Sequence, residues 1–317
     1  MGRFNDRLQA QWDQGKFVCV GLDPNMDKIY KQVPTLRGQS EGLAGILVPY
    51  LKEIVNATHD VVCAYKPNWA FFLEHGSYGL EMLEQVVAYI RRHYPNVVVI
   101  IDMKVGDIDS SNLGYAQYPF VFLDADAITV HPYMGHVAMK PLLDCEDRGV
   151  IVLVRTSNEG AGELQNRQVT IEGYQEAVAL DIPSAVSAYM NGYDQPKVPL
   201  YQYFAASVRD NWNYNDNCAV VVGATVPDEL TRVRELVGDG IPILIPGVGA
   251  QGGSLELATQ NGMNSRGDGF IINASRSVLY ADALDGQSFA EAARAEVVRM
   301  SNVINLARIV PDAGNDV

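Results

Sequence analysis

The chain has 317 residues, of which 48% are hydrophobic and 20% are charged, and its formal net charge is −14. This composition is typical of a globular protein with a large core, and the negative charge argues against nucleic acid or an acidic membrane surface as the main partner. No apolar run approaches the roughly 18 residues that span a bilayer, and the start lacks a hydrophobic signal region, so we expect no membrane segment. The four cysteines stand singly, which favours buried free thiols and a cytoplasmic protein.

The first half of the chain alternates apolar runs with amphipathic segments. Apolar residues recur at helical spacing from Leu43 to Val55, and a second helix is predicted to start near Ser77. The runs that flank these helices predict three strands, at 17–24, at 61–67 and within 97–108. The third run begins with five consecutive β-branched residues, which is typical of a strand buried on both faces in a parallel sheet.

The second half repeats this alternation and ends in a helix that Ser288-x-x-Glu291 caps. Helices are also predicted around 137–143 and from Pro227 onward. Five further strands are predicted at 127–131, 149–157, 218–224, 241–246 and 269–273. Eight strands that alternate with helices predict an α/β fold, namely a closed (β/α)8 TIM barrel that forms a single domain over residues 1–317.

A long excursion separates the fifth predicted strand from the sixth. It spans residues 160–216 or thereabouts, which far exceeds an ordinary loop. Its last part, from Tyr201 to Trp212, is predicted to form the crossover helix, and residues 182–190 are expected to be partly helical. A lid over the strand ends and a plain insertion are both consistent with this segment.

Charged side chains stand where several of these strands end. Asp102 and Lys104 close the third strand, and Asp107 follows in the loop. Side chains alternate along a strand, so Asp102 and Lys104 should point to the same side, about 7 Å apart along the chain. In a parallel barrel they would share one rim with the other polar strand-end residues, which are Asp23, Lys66, His131, Ser157 and Arg276. Alternating carboxylates and ammonium groups keep a lysine charged as a positioned proton donor, and a buried ion pair that only fixes packing is the alternative.

Residues 246–253 contain the pattern G-x-G-x-x-G through Gly247, Gly249 and Gly252. This spacing is the dinucleotide fingerprint, but here it follows the seventh strand instead of opening a domain. Loops after the last two strands of a barrel often hold a phosphate with backbone N–H groups, and Arg276 would add a bidentate cation. We therefore predict a phosphate site. Because the chain has no H-E-x-x-H motif and no clustered Cys/His set, no metal is predicted.

Taken in order, these motifs resemble the orotidine 5′-phosphate decarboxylase family, and its longer bacterial subtype (type 2) in particular. The resemblance covers nearly the whole chain and rests on Gly21-Leu22-Asp23-Pro24, Lys66-Pro67-Asn68, Asp102-Met103-Lys104-Val105-Gly106-Asp107-Ile108, Thr129-Val130-His131-Pro132, Thr156-Ser157-Asn158, Val222-Gly223-Ala224-Thr225, the glycine-rich loop and Ser275-Arg276-Ser277. It implies a carboxy-lyase that converts orotidine 5′-phosphate (OMP) to UMP and CO2 in de novo pyrimidine biosynthesis. It also implies a homodimer that uses no metal or cofactor.

The same resemblance implies a role for each site residue. Lys104 would protonate C6 as CO2 leaves, and Asp102 would either repel the substrate carboxylate or organise Lys104. The catalytic array would consist of Lys66, Asp102, Lys104 and Asp107. Asp107 and Ser111 would reach into the neighbouring subunit's site. The other substrate-binding residues would be Asp23 for the ribose, Ser157 for the pyrimidine, Gln251 and Arg276 for the phosphate, and Pro246 and Gly252 beside them.

Two departures from the family pattern lie near Asp107, since Asp109 replaces a usual glycine and Ser111 a more usual threonine. Two rival functions also stay open. A Mg²⁺-dependent relative such as a hexulose-phosphate synthase shares the Asp-x-Lys-x-x-Asp pattern. A non-catalytic nucleotide-binding protein is the second rival, although binding alone would not explain three acids near an anionic ligand.

Overall fold

A closed barrel of eight parallel strands forms the centre of the protein. The computed structural model describes residues 3–37, 42–172, 196–249 and 251–309, with positions 176, 178, 186, 187, 190 and 191 between them. The barrel strands are β1 Val18–Leu22, β2 Ala64–Pro67, β3 Val98–Val105, β4 Ala127–Val130, β5 Gly149–Arg155, β8 Cys218–Val222, β9 Ile243–Pro246 and β10 Phe270–Ala274. Each strand pairs with its sequence neighbour, and β10 pairs with β1 to close the ring. The predicted (β/α)8 barrel is therefore confirmed.

Continuous burial explains why the strands could be found as apolar runs. Every residue of β1, β8 and β10 is buried, as expected for strands covered by side chains inside and helices outside. The amino-terminal helix covers the opposite end of the barrel from the strand carboxyl ends. There Arg7 and Arg91 both pair with the buried carboxylate of Asp126, at 3.0 and 2.5 Å.

Helices follow the strands and surround the barrel. The closing helix carries the predicted capping box between Ser288 and Glu291, and Pro227 is the first residue of its helix. In the ranges that the structure describes, no helix is both long and apolar enough to cross a membrane. The α-helices are Phe4–Trp12, Met26–Gln32, Gly42–Thr58, Trp69–Leu73, Gly76–His93, Asp109–Ala116, Gly135–Leu143, Gly162–Gln165, Leu200–Ser207, Pro227–Val237, Leu255–Gly262, Arg276–Leu279 and Phe289–Ala307.

The excursion between β5 and β8 carries a small sheet of its own. Strands β6, Gln168–Thr170, and β7, Lys197–Pro199, pair antiparallel. The helix Leu200–Ser207 then returns to the barrel and continues as a π-helical turn over Val208–Trp212. The predicted crossover helix is thus present, with a wider final turn. The helix expected at 182–190 falls mostly outside the described residues.

Candidate active site

The carboxylate of Asp102 lies between two lysine ammonium groups at the end of β3. Lys66 Nζ donates to Asp102 Oδ2 at 2.6 Å, and Lys104 Nζ donates to Asp102 Oδ1 at 2.6 Å. Lys66 and Asp102 are buried, whereas the Lys104 side chain is 48% exposed. The ion pairs therefore leave Lys104 as the lysine that a bound molecule can reach.

A bulge in β3 produces this arrangement. Ile101 pairs with Ile128 but Val105 pairs with Val130, so β3 contains two more residues than β4 in this interval. Lys104 has a positive φ of 51°, an unusual conformation for a residue with a side chain. Simple strand alternation was therefore the wrong reason for expecting Asp102 and Lys104 on one side. The bulge turns Lys104 back towards Asp102, and such backbone strain is often found at functional sites.

Thr129 on β4 holds the bulge in place, and the sequence analysis did not assign it a role. Its hydroxyl donates to Asp102 Oδ1 at 2.7 Å and accepts the backbone N–H of Lys104 at 3.0 Å. Thr129 is itself buried. One side chain thus fixes both the carboxylate and the backbone of the lysine that pairs with it.

The charges of Asp102 and Lys66 stabilise each other despite burial. Burial raises the pKa of Asp102, but Lys66 and Lys104 outweigh it and hold that pKa well below its usual range. Burial lowers the pKa of Lys66, but Asp102 and Asp23 outweigh it and hold that pKa above its usual value. Asp23 differs, because burial raises its pKa more than Lys66 and Ser275 lower it. Its Oδ1 atom is buried without a hydrogen-bond partner among the described residues.

These groups open into a cavity of about 730 Å³ at the carboxyl ends of the strands. Its wall contains eight of the predicted site residues, which are Asp23, Lys66, Asp102, Lys104, Ser157, Pro246, Gln251 and Arg276. Asp107, Ser111 and Gly252 do not line it, and neither does His131, whose ring packs against Gly106. Among the residues that the structure describes, no three His, Cys, Asp or Glu side chains are grouped to hold a metal.

The glycine-rich loop forms one end of the cavity. Gly247, Gly249 and Gly252 have φ values of 98°, 64° and 90°, which side chains rarely adopt. The loop closes on itself through the N–H of Gly253, which donates to the carbonyl of Gly247 at 3.1 Å. Arg276 starts the short helix after β10, and within the described part of the chain it forms no ion pair with an acid. An exposed guanidinium beside such a loop suits an anionic group such as a phosphate.

A hydrogen bond joins the loop to the end of β5. Ser157 Oγ donates to Gln251 Oε1 at 2.8 Å. A Cβ atom on Gly247 would lie only 2.8 Å from Ser157 Cβ, so this close approach requires glycine. The residues predicted to contact the pyrimidine and the phosphate are therefore adjacent in the fold.

Asp107 and Ser111 lie outside the cavity on an exposed part of the chain. The Asp107 carboxylate accepts the N–H of Ile108 at 2.7 Å, and Asn112 bonds to both backbone polar groups of Asp107. Asp109 is the first residue of the next helix, where a negative charge is favourable. This departure from the family pattern thus has a local structural reason.

Several residues of the cavity wall were missed by the sequence analysis. Lys28 is the clearest case, because its Nζ lies 5.2 Å from the centre of the Tyr280 ring. The Tyr280 hydroxyl in turn accepts the N–H of Asn25 at 2.7 Å. Lys28 and Tyr280 are far apart in sequence, so no local pattern could have linked them. The missed polar wall residues include Asn25, Lys28, Thr129, Gln165, Ser275 and Tyr280.

Comparison with known proteins identifies the family. A family profile described as orotidine 5′-phosphate decarboxylase / HUMPS family matches residues 16–293. The chain belongs to this family. A family member from Cellvibrio japonicus, named orotidine 5′-phosphate decarboxylase, is 39% identical over 306 residues, covering 96% of this chain and 99% of the relative. A protein of the same name from Cupriavidus necator is 40% identical over 306 residues, covering 96% and 98%.

The family assignment also agrees with a solved structure. The OMP decarboxylase of Leishmania donovani has a TM-score of 0.75 to this chain and is 30% identical, covering 98% of this chain and 100% of the other. The motif resemblance to the orotidine 5′-phosphate decarboxylase family is thus confirmed.

Proposed function

We propose that this protein is a carboxy-lyase that converts OMP to UMP and CO2 in de novo pyrimidine biosynthesis. One observation carries the proposal: the Lys66–Asp102–Lys104 ion pairs share a single cavity with the glycine-rich loop and Arg276. A proton donor and an anion site in one cavity suit a phosphorylated substrate that must gain a proton. The near full-length relatives named orotidine 5′-phosphate decarboxylase favour this reaction over the hexulose-phosphate class.

The reaction we propose needs no reacting groups besides protein side chains and water. The bond between C6 and the carboxylate carbon breaks, CO2 leaves, and the electron pair stays on C6. Lys104 Nζ then gives its proton to C6 to form UMP, and the lysine recovers a proton from water. Lys104 suits this role because its side chain is 48% exposed in the cavity while Asp102 fixes its ammonium group.

The contacts of Asp102 favour an organising role. Its two carboxylate oxygens accept hydrogen bonds from Lys66, Lys104 and Thr129, at 2.6, 2.6 and 2.7 Å. Three donors offset much of the negative charge that a substrate carboxylate would meet. We therefore propose that Asp102 mainly positions Lys104, with repulsion of the substrate as the lesser effect.

The remaining residues would bind the substrate along the cavity. Asp23, with a buried and unpartnered Oδ1, would accept hydrogen bonds from the ribose hydroxyls. Ser157 would contact the pyrimidine. Arg276, Gln251 and the backbone around Pro246 and Gly252 would hold the phosphate.

We also propose a homodimer in which Asp107 and Ser111 complete the neighbouring site. Neither residue lines the cavity of its own chain. The segments around them carry exposed apolar side chains, since Ile108, Phe122 and Val137 are exposed by 58%, 74% and 72%. Exposed apolar patches of this kind mark protein–protein contacts. The four free cysteines fit an enzyme of the reducing cytoplasm.

Mixing two inactive variants tests the shared site. Lys104→Ala and Asp107→Ala subunits, combined after separate purification and subunit exchange, should regain activity because a mixed dimer contains one intact site. Each variant alone should stay inactive under the same treatment. Absence of any recovery, with mixed dimers detected by native mass spectrometry, would count against the shared site.

The reaction itself is tested by the ultraviolet absorbance of OMP with purified protein in excess EDTA. Conversion to the UMP spectrum would establish a decarboxylase that needs no free divalent metal. Activity that appears only after Mg²⁺ is added would favour the metal-dependent rival. Tight UMP binding without turnover under either condition would favour a non-catalytic nucleotide-binding protein.

A further inference from the structure

The root of the excursion is built into the wall of the cavity. After β5 ends at Arg155, the chain passes through Thr156 and Ser157 and then forms the short helix Gly162–Gln165. The last residue of this helix, Gln165, lines the cavity together with Thr156 and Ser157. The first helix of the excursion therefore forms part of the cavity wall.

The side-chain amide of Gln165 forms two hydrogen bonds with Thr156. Its Oε1 accepts the backbone N–H of Thr156 at 2.9 Å, and its Nε2 donates to Thr156 Oγ1 at 2.9 Å. The Thr156 hydroxyl in turn donates a hydrogen bond to Asn158 Oδ1 at 2.7 Å. Gln165 Oε1 also lies 3.5 Å from Nη1 of Arg155. An amide oxygen can accept two hydrogen bonds, and a hydroxyl can accept one while it donates another, so these hydrogen bonds are mutually compatible.

A second set of contacts fixes Thr156 from the barrel side. The buried guanidinium of Arg155 donates to the carbonyl of Thr156 at 3.0 Å. Its other end lies 3.6 Å from Glu229 Oε1, at the start of the helix Pro227–Val237. The peptide groups on both sides of Thr156 are thus held, one by Gln165 and one by Arg155.

Ser157, the next residue, has little freedom left. A Cβ atom on Gly223 would lie 2.7 Å from Ser157 Cα, and one on Gly247 would lie 2.8 Å from Ser157 Cβ. Thr225 donates to the carbonyl of Ser157 at 3.3 Å. Ser157 is thus contacted by these two glycines and by Gln251 on one side, while Thr156 holds it through the chain on the other, so we expect a shift of Thr156 to move Ser157.

We propose that Gln165 is a positioning residue for the pyrimidine end of the site, acting through Thr156 on Ser157. This inference rests on the proposed function, in which Ser157 contacts the base. It assigns the root of the excursion to base recognition, while the phosphate end depends on Arg276 and the glycine-rich loop. Loss of the Gln165 amide should therefore weaken binding of the base and spare binding of the phosphate.

Two ligands that share the phosphate separate these effects. UMP has a base and ribose 5-phosphate has none, and their dissociation constants can be measured by calorimetry with the full-length protein. Gln165→Ala should raise the dissociation constant of UMP by about five- to tenfold, the size expected for losing one or two neutral hydrogen bonds. The constant for ribose 5-phosphate should change less than about twofold on the same scale. Glu163→Ala, an exposed change on the same short helix, is the matched control and should alter neither constant.

A double-mutant cycle shows whether Gln165 acts through Thr156. If it does, adding Gln165→Ala to Thr156→Val should cost less than in the wild-type background, because one of the two Gln165 hydrogen bonds to Thr156 is already lost and only the bond to the Thr156 N–H remains. Fully additive losses would instead show that Gln165 does not act through the Thr156 hydroxyl, and would overturn the proposed contact. Equal weakening of UMP and ribose 5-phosphate, or no weakening of UMP, would overturn the positioning role itself.

Folding and the proposed function have their own controls. Gln165→Glu keeps the acceptor for the Thr156 N–H but replaces the donor by a charged carboxylate, and it is the second variant to test if Gln165→Ala does not fold. Since the added charge acts on the phosphate of both ligands, the ratio of the UMP constant to the ribose 5-phosphate constant is compared, and it should rise, but by less than in Gln165→Ala. A wild-type protein that binds no UMP would overturn the proposed function and this inference together. Normal wild-type binding with an unaffected Gln165→Ala variant would overturn this inference alone.

Discussion

Thr129→Val removes one hydroxyl from the centre of the charged array with little change of volume. The valine keeps the branched shape, so we expect no cavity, but the hydrogen bonds of Thr129 to Asp102 and to the Lys104 N–H are both lost. The Lys104 backbone, already at a positive φ of 51°, then loses the hydrogen bond that its N–H donates across the bulge. We expect the lysine ammonium to be held less accurately over the reacting carbon.

The size of the effect follows from the two lost bonds. A hydrogen bond to a charged group contributes about 1.5–3 kcal/mol, and a fully buried N–H left without a partner costs about 1–3 kcal/mol. The partly buried Lys104 N–H should cost the lower part of that range. If the first loss falls on the transition state, kcat should drop by about 10- to 100-fold, since about 1.4 kcal/mol corresponds to a factor of ten. Loss of the Lys104 N–H bond should lower the free energy of unfolding and therefore lower Tm by about 2–4 °C per kcal/mol.

Steady-state OMP decarboxylation and UMP calorimetry together check this expectation. The variant should lose kcat while its dissociation constant for UMP stays within about threefold, because Thr129 does not contact the phosphate or the base in the proposed binding mode. Thr129→Ser, which keeps the hydroxyl, should recover most of the rate. An unchanged kcat in Thr129→Val, or an equal loss in the serine variant, would refute the role of the hydroxyl.

Three further substitutions probe the site. Lys104→Ala should reduce kcat by at least about 10²-fold while UMP binding is largely kept, and near wild-type turnover would contradict the proton-donor role. Arg276→Ala should weaken UMP binding by about 10- to 100-fold but leave uridine binding unchanged, and equal weakening of both ligands would exclude a phosphate contact. Burial raises the pKa of Asp23, so the folded state loses stability as pH rises from the unfolded to the folded pKa of this group. Asp23→Asn should therefore raise Tm at pH 7 and weaken UMP binding, and a lower Tm by calorimetry would contradict the sign.

The barrel could be predicted because its strands are buried on both faces. Such strands appear as continuous apolar runs, and counting eight of them gives the architecture without knowing any register. The predicted ends of the strands were less accurate. The fifth strand was expected to reach Ser157 but ends at Arg155, because Gln165 and Arg155 bind the next peptide groups and turn the chain away from the sheet.

The site was predicted in composition but not in geometry. Asp102 and Lys104 were expected on one side by alternation, whereas the two extra residues of β3 bring them together. A bulge depends on the register between two strands, which a single sequence does not reveal. Thr129 has the same limitation, since a threonine is ordinary in a strand until its partner across the bulge is known.

The cavity wall is positively charged although the chain as a whole is negatively charged. Among the described residues of the wall, Lys28, Lys66, Lys104 and Arg276 outnumber Asp23 and Asp102, an excess of two positive charges in a chain of net charge −14. Charges beyond about 8 Å are largely screened at physiological salt, so a trianionic nucleotide meets the local excess and not the overall charge. Decarboxylation with proton transfer from Lys104 removes a carboxylate and an ammonium group together. Because the Lys104 side chain is 48% exposed, water can then return a proton to the lysine and restore the local excess of positive charge for the next substrate.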